Sequence, residues 1–101
     1  KSNHYDLAIV ESYRAFEAAL HRVLLNRNLS IPMKSPMHVI NYAFEQGVLS
    51  ERLKDKANVI RAARNQSAHA QHEFTAQEAD ENIKISEELI NHLITLHASE
   101  G

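Results

Sequence analysis

The stretch Arg61-Ala62-Ala63-Arg64-Asn65-Gln66-Ser67-Ala68-His69 puts arginine, an amide and histidine at the end of an otherwise apolar-patterned helix. A guanidinium is a fixed cation with a planar donor fork, and an imidazole exchanges its proton near neutral pH. Residues of these types can cut something, bind something or tie helices together. Asn65 and His69 are four apart, so if the helix persists they share a face with Arg61. Arg64 and His69 are five apart, about 140° around an ideal helix. Bringing their tips together needs arginine's reach, an unwound turn, or a second copy of the motif.

Other chemistries find less support. There is no cysteine, hence no thiolate nucleophile, disulfide framework or zinc ribbon. Of the seven histidines, His69 and His72 are three apart, and His92 lies four after Glu88. Neither pair matches the His-Glu-x-x-His zinc pattern or the Glu-x-x-His repeat of di-iron bundles, so no metal is expected. Gly47 and Gly101 stand alone, which removes phosphate-cradling glycine loops, and no other cofactor is indicated. No serine sits on a glycine-flanked sharp turn of the kind a Ser-His-Asp nucleophile uses. Tyr13, Phe16, Tyr42 and Phe44 fit helical core spacing and read as packing residues rather than base-stacking ones.

The elements that position the motif read as all-helical. At 101 residues the chain fits one domain, 1–101, large enough for a core without disulfides or a structural metal. No apolar run approaches bilayer length and no signal-peptide pattern is present, which leaves the cytoplasm as the default expectation. The chain begins at Lys1 and ends Ser99-Glu100-Gly101, and reads as a processed chain or a piece of a longer protein. A net charge of -2 argues against binding nucleic acid by bulk electrostatics. The distribution is less even: Arg52, Lys54, Lys56, Arg61 and Arg64 face one acid, Asp55, whereas Glu73, Glu78, Asp80, Glu81, Glu87 and Glu88 face one base, Lys84. These runs read as two solvated faces that attract each other, or as a small basic surface beside the motif.

Apolar spacings of three and four predict a first helix from His4 to Asn28, with Tyr5, Ala8, Ser12, Ala15, Phe16, Ala19, Leu20, Val23 and Leu24 inward. Residues 28–34 form a connection that Pro32 helps to break. Ser35-Pro36 starts a short second helix with Met37, Ile40, Ala43 and Phe44 inward, which Gly47 closes. Ser50 opens the third, whose stripe runs Leu49, Leu53, Ala57, Ile60 and then lands on Arg64. An arginine there is expensive to bury unpaired, so a cleft, a carboxylate or another subunit should meet it. Residues 71–74 read as a loop, and Thr75-Ala76-Gln77-Glu78 as a capping box for a fourth helix. On that helix Ala79, Ile83, Ser86, Ile90 and Leu93 form one line, with Ile85, Leu89 and Leu96 beside it. Four helices with short connections pack as a bundle.

Arg64-Asn65, three residues, then His69 resembles the Arg-x(4 to 6)-His signature of the HEPN superfamily, the higher eukaryotes and prokaryotes nucleotide-binding domain. Phe44-Glu45-Gln46-Gly47-Val48-Leu49-Ser50 before the motif helix, Thr75-Ala76-Gln77-Glu78-Ala79 after it, and Tyr13-Arg14-Ala15-Phe16-Glu17 in the first helix are similar to the small bacterial HEPN-like branch. The likeness spans nearly the whole chain, and the third-helix motif is its diagnostic part. It implies a four- to five-helix all-α bundle that homodimerises with the two motifs meeting. It also implies a metal-independent endoribonuclease of toxin-antitoxin, abortive-infection or CRISPR-associated defence, alone or with an antitoxin or a larger defence protein as partner. In that reading Arg64 holds the RNA phosphate, His69 is general base or acid toward the ribose 2′-OH and the leaving oxygen, and Asn65 orients the histidine or binds phosphate. The toxin branch carries a tyrosine two residues after the histidine; Gln71 stands there, so a tyrosine-linked modification is not expected. The alternatives are a non-catalytic dimerisation or binding module, and a structural motif in which Arg64, Asn65 and His69 bridge helices and cap the third helix.

Overall fold

Local capping chemistry places the helix ends in the structure, a computed structural model that describes residues 4–31, 35–68 and 73–100. Helix α1 spans His4–Asn26, α2 Pro36–Glu45, α3 Glu51–Ala68 and α4 Ala76–Glu100. The protein is an all-α four-helix bundle, and no strand occurs among the described residues.

Helix α1 ends two residues before the expected Asn28, because Asn28 itself adopts the left-handed conformation at φ 61°. Its N–H then bonds the Leu25 carbonyl at 3.0 Å and the Leu29 N–H the Leu24 carbonyl at 2.9 Å, a Schellman closure. Gly47, at φ 78°, closes α2 in the same way: its N–H reaches Phe44 and that of Val48 reaches Ala43. At the start of α3 the Ser50 hydroxyl accepts from the Leu53 N–H at 3.2 Å. Thr75 and Glu78 form the reciprocal capping box, with bonds of 2.9 and 3.1 Å. Ser35 departs from expectation: it occupies the N-cap position of α2, but its hydroxyl pairs with His38 Nδ1 at 2.8 Å instead of a backbone N–H. Pro32, Met33, Lys34, His69, Gln71 and His72, all used in the sequence reading, lie outside the described residues.

Packing directions follow from cross-helix contacts. Ser67 donates to the Asp6 carbonyl, and Ile9 clusters with Ala63 and Phe74, so α3 runs against α1. Lys56 bonds Glu88, and the His92 ring bonds the Val48 carbonyl at 2.8 Å, so α4 runs against α3 and therefore along α1. The core between them holds Phe16, Leu20 and Leu24 of α1, Leu53, Ala57 and Ile60 of α3, and Leu89 and Leu93 of α4. Helix α2 contributes Val39, Ile40 and Ala43.

Several inward assignments change. In α1 the buried line is Ile9, Tyr13, Phe16, Leu20, whereas Tyr5 and Ala15 are exposed. Turning Ile9 and Tyr13 inward buries two large side chains where the expected line offered mostly small or polar ones, and each large apolar side chain buried contributes roughly 1.5–3 kcal/mol. In α2, Met37 and Phe44 are 44% and 37% exposed, and Val39 takes the inward place. A one-layer helix needs only a narrow buried face, and the exposed Phe44 ring instead carries the Lys54 ammonium 4.6 Å from its centroid. In α4, Asn82 joins Ser86 on the buried line; Asn82 Oδ1 and Ser86 Oγ are both buried without a hydrogen-bond partner.

These two kinds of buried residue make opposite predictions. Phe16→Ala lowers unfolding stability by about 3–5 kcal/mol. Ser86→Ala leaves it unchanged or raises it, since the lost hydroxyl has no partner to lose. Urea unfolding followed by circular dichroism reads both, and a comparable loss for Ser86→Ala would refute this account of its hydroxyl.

Candidate functional site

Ala63 brings the C-terminal half of α3 against α1. Its small side chain is buried with Ile9 and Phe74, and the Ser67 hydroxyl bonds the Asp6 carbonyl at 3.4 Å. These two contacts set an antiparallel register in which Tyr13 is level with Ile60. The buried step after Ile60 is thus Ala63; Arg64 sits on the edge of the stripe, half-buried, because a guanidinium wholly inside would lose its hydration without a counter-charge. Arg61, one turn earlier, is half-buried too. Its Nε donates to Asn58 Oδ1 at 3.0 Å, and Arg64 Nη1 reaches Asn65 Oδ1 at 3.5 Å, the outer limit of a hydrogen bond.

The Tyr13 phenol lies within the field of both arginines. Burial pushes its pKa up to about 12; Glu17 pushes the same way, and the positive charges of Arg61 and Arg64 oppose them. Its ring is almost fully buried and packs tilted on Phe16, centroids 5.7 Å apart.

The basic stretch of α3 divides in two. Arg52 and Lys56 both bond the Glu88 carboxylate of α4, Lys56 at 2.8 Å, and Lys54 lies over Phe44 and 3.9 Å from Asp55. Arg61 and Arg64 form no ion pair with any described residue. The first half therefore behaves as a face attracted to the acidic helix, and the second as a small basic surface beside the motif. A separate groove of about 270 Å³ between α1 and α4, lined by Ala19, Arg22, Val23, Leu93, Ile94 and His97, lies toward the other end of α1. Among the described residues no three His, Asp or Glu side chains converge as a metal site would require.

A family described as a domain of unknown function, DUF4145, matches residues 1–100. The chain belongs to the DUF4145 family. Comparison with curated proteins and with solved structures finds no match. In this DUF4145 chain Arg64 and Asn65 stand together on the last turns of α3, while His69 follows Ala68 in the sequence and lies outside the described residues. Sequence reasoning treated Tyr13 as a packing residue only. Its aromatic type signalled burial, and nothing local signalled that the charges of two arginines on another helix would act on its phenol.

The Glu88 contacts generate a pH prediction for the domain. Hydrogen bonds from Lys56 and Arg52 hold its carboxyl below the usual glutamate range. A depressed carboxylate stabilises the fold above its unfolded-state pKa, and that contribution fades as pH falls through the folded value. Glu88→Gln should remove this part of the acid-side slope, read from unfolding midpoints across pH, and an unchanged slope would refute it.

Proposed function

We propose that this DUF4145 domain is a metal-independent endoribonuclease of HEPN type. The observation that carries the reading is the pair Arg61 and Arg64, half-buried and without a carboxylate partner among the described residues, on the helix that leads into His69. An arginine held at the edge of a core with no counter-charge is a natural phosphate holder, since its planar fork matches two phosphate oxygens. His69 removes the proton of a ribose 2′-OH as that oxygen attacks phosphorus, and an imidazolium returns a proton to the leaving 5′-oxygen. The phosphorus–oxygen bond to the leaving nucleotide breaks as the new one forms, so the products are a cyclic phosphate end and a 5′-hydroxyl. Arg64 neutralises the charge that grows on the phosphoryl oxygens, and Asn65 orients the imidazole or donates to the same phosphate.

The working unit in this proposal is a homodimer in which Arg64 of one protomer approaches the partner subunit's His69. That pairing relieves the separation of about 140° within a single helix. Val59, 52% exposed, and the exposed Ala62 offer apolar surface on α3 for such an approach. The proposed setting is cytoplasmic defence or a toxin-antitoxin pair, with RNA as substrate. For the described residues, no helix is long and apolar enough to cross a membrane. The net charge of -2 favours one rival, a non-catalytic dimerisation or binding module that does not grip long RNA.

Incubation with varied single-stranded and structured RNAs in EDTA separates the two. The nuclease reading expects cleavage by the wild type and a loss of about 100-fold or more for Arg64→Ala and for His69→Ala, with circular dichroism unchanged. Binding without cleavage by the wild type would establish the module instead.

A further inference from the structure

We infer that Tyr13 and Arg61 belong to the same oxyanion site as Arg64, so that one phosphate group is held by two guanidiniums and by a phenolic hydroxyl donated from α1. The inference rests on the proposed reading of Arg64 as a phosphate holder and adds the groups that complete it.

Three observations carry it. The first is register: the Ser67 to Asp6 bond and the Ile9, Ala63, Phe74 cluster bring Tyr13 level with Ile60, and Arg61 and Arg64 follow on the next turn of α3. The second is the state of the hydroxyl. The Tyr13 ring is 4% exposed and wedged on Phe16, yet its oxygen makes no hydrogen bond to any described residue, and it is not among the fully enclosed polar atoms that lack a partner. A packed ring thus carries a donor that no described residue uses. The third is the charge around that point. Arg61 is steadied by Asn58, and Arg64 reaches Asn65 only at the outer limit of a hydrogen bond; both partners are neutral amides, so neither guanidinium is neutralised by them.

Among the described residues Glu17, one turn along α1, is the acid whose charge acts on the phenol, and it bonds neither arginine. Burial keeps the phenol protonated far above neutral pH, so the group remains a donor under any condition in which RNA is handled. A phosphate oxyanion suits this arrangement better than a carboxylate, because its tetrahedral oxygens can accept from a planar fork and from a third donor outside that plane.

Two probes test the site separately from cleavage: inorganic phosphate, and a short 2′-O-methyl oligoribonucleotide that lacks the 2′-OH needed for cutting. Phosphate should shift the Arg61 and Arg64 Nε–Hε signals and the Tyr13 ring signals together and saturably in nuclear magnetic resonance titrations. Tyr13→Phe, which keeps the ring packing, and Arg61→Ala should each weaken oligonucleotide binding roughly tenfold, the worth of one hydrogen bond to a charged group. Arg22→Ala, an exposed arginine toward the other end of α1, should leave it unchanged. Wild-type affinity in folded Tyr13→Phe, or phosphate shifts at Arg64 without Arg61 and Tyr13, would overturn the inference. Phosphate held by all three groups in a chain that cuts no RNA would uphold the site and sink the nuclease reading.

Discussion

Burial of one face of α1 is the constraint on which the other helices depend. Its Phe16, Leu20, Val23 and Leu24 are almost wholly removed from water, and both α3 and α4 must lie against that line to achieve it. Helix α4 runs along α1, and α3 runs against both. Ala57 and Ala63 on α3 and Ala79 on α4 are buried in the packed interior, where larger side chains would force the surrounding structure to shift. The short α2 then covers an end of this three-helix core with only Val39, Ile40 and Ala43. Its outer Met37 and Phe44 remain at the surface because no further layer covers them.

That packing also decides which charges are spent inside the molecule. Glu88 on α4 faces the first turns of α3 and draws Arg52 and Lys56 to itself. Farther along α3 the facing surface is α1, where Ile9 and Tyr13 are buried and no described carboxylate pairs with Arg61 or Arg64. Among the described residues Arg61 and Arg64 accordingly have amide oxygens near them and no carboxylate partner. Exposed arginines are common and usually trivial. What distinguishes this pair is that both are half-buried beside a buried ring and a packed alanine, with no carboxylate partner among the described residues.

The functional reading of the DUF4145 domain depends on that local imbalance more than on net charge. An overall charge of -2 limits long-range attraction of nucleic acid but says little about one phosphate in a fixed cluster of donors. The apolar groove between α1 and α4 lies away from Arg61 and Arg64. A site built on a convex helix end gains enclosure if a second copy faces it, which is the physical sense of pairing two motifs across a dimer.

The sequence alone determined what is settled within about one helical turn. Gly47 in a left-handed closure, the Ser50 cap, the Thr75–Glu78 box and the all-α bundle follow from backbone groups that neighbouring residues must satisfy. Placing Arg64 and Asn65 at the end of α3 was equally local. Tertiary structure decided the rest: that Ile9 turns inward while Tyr5 and Ala15 stay exposed, that Ala63 rather than Arg64 continues the buried stripe, and that Ser35 pairs with His38. It alone put the Tyr13 phenol within the field of the arginines and gave Arg52 and Lys56 a carboxylate. Helical periodicity defines a broad apolar face but not its centre, and helix-to-helix register is chosen by the fit of side chains far apart in the chain.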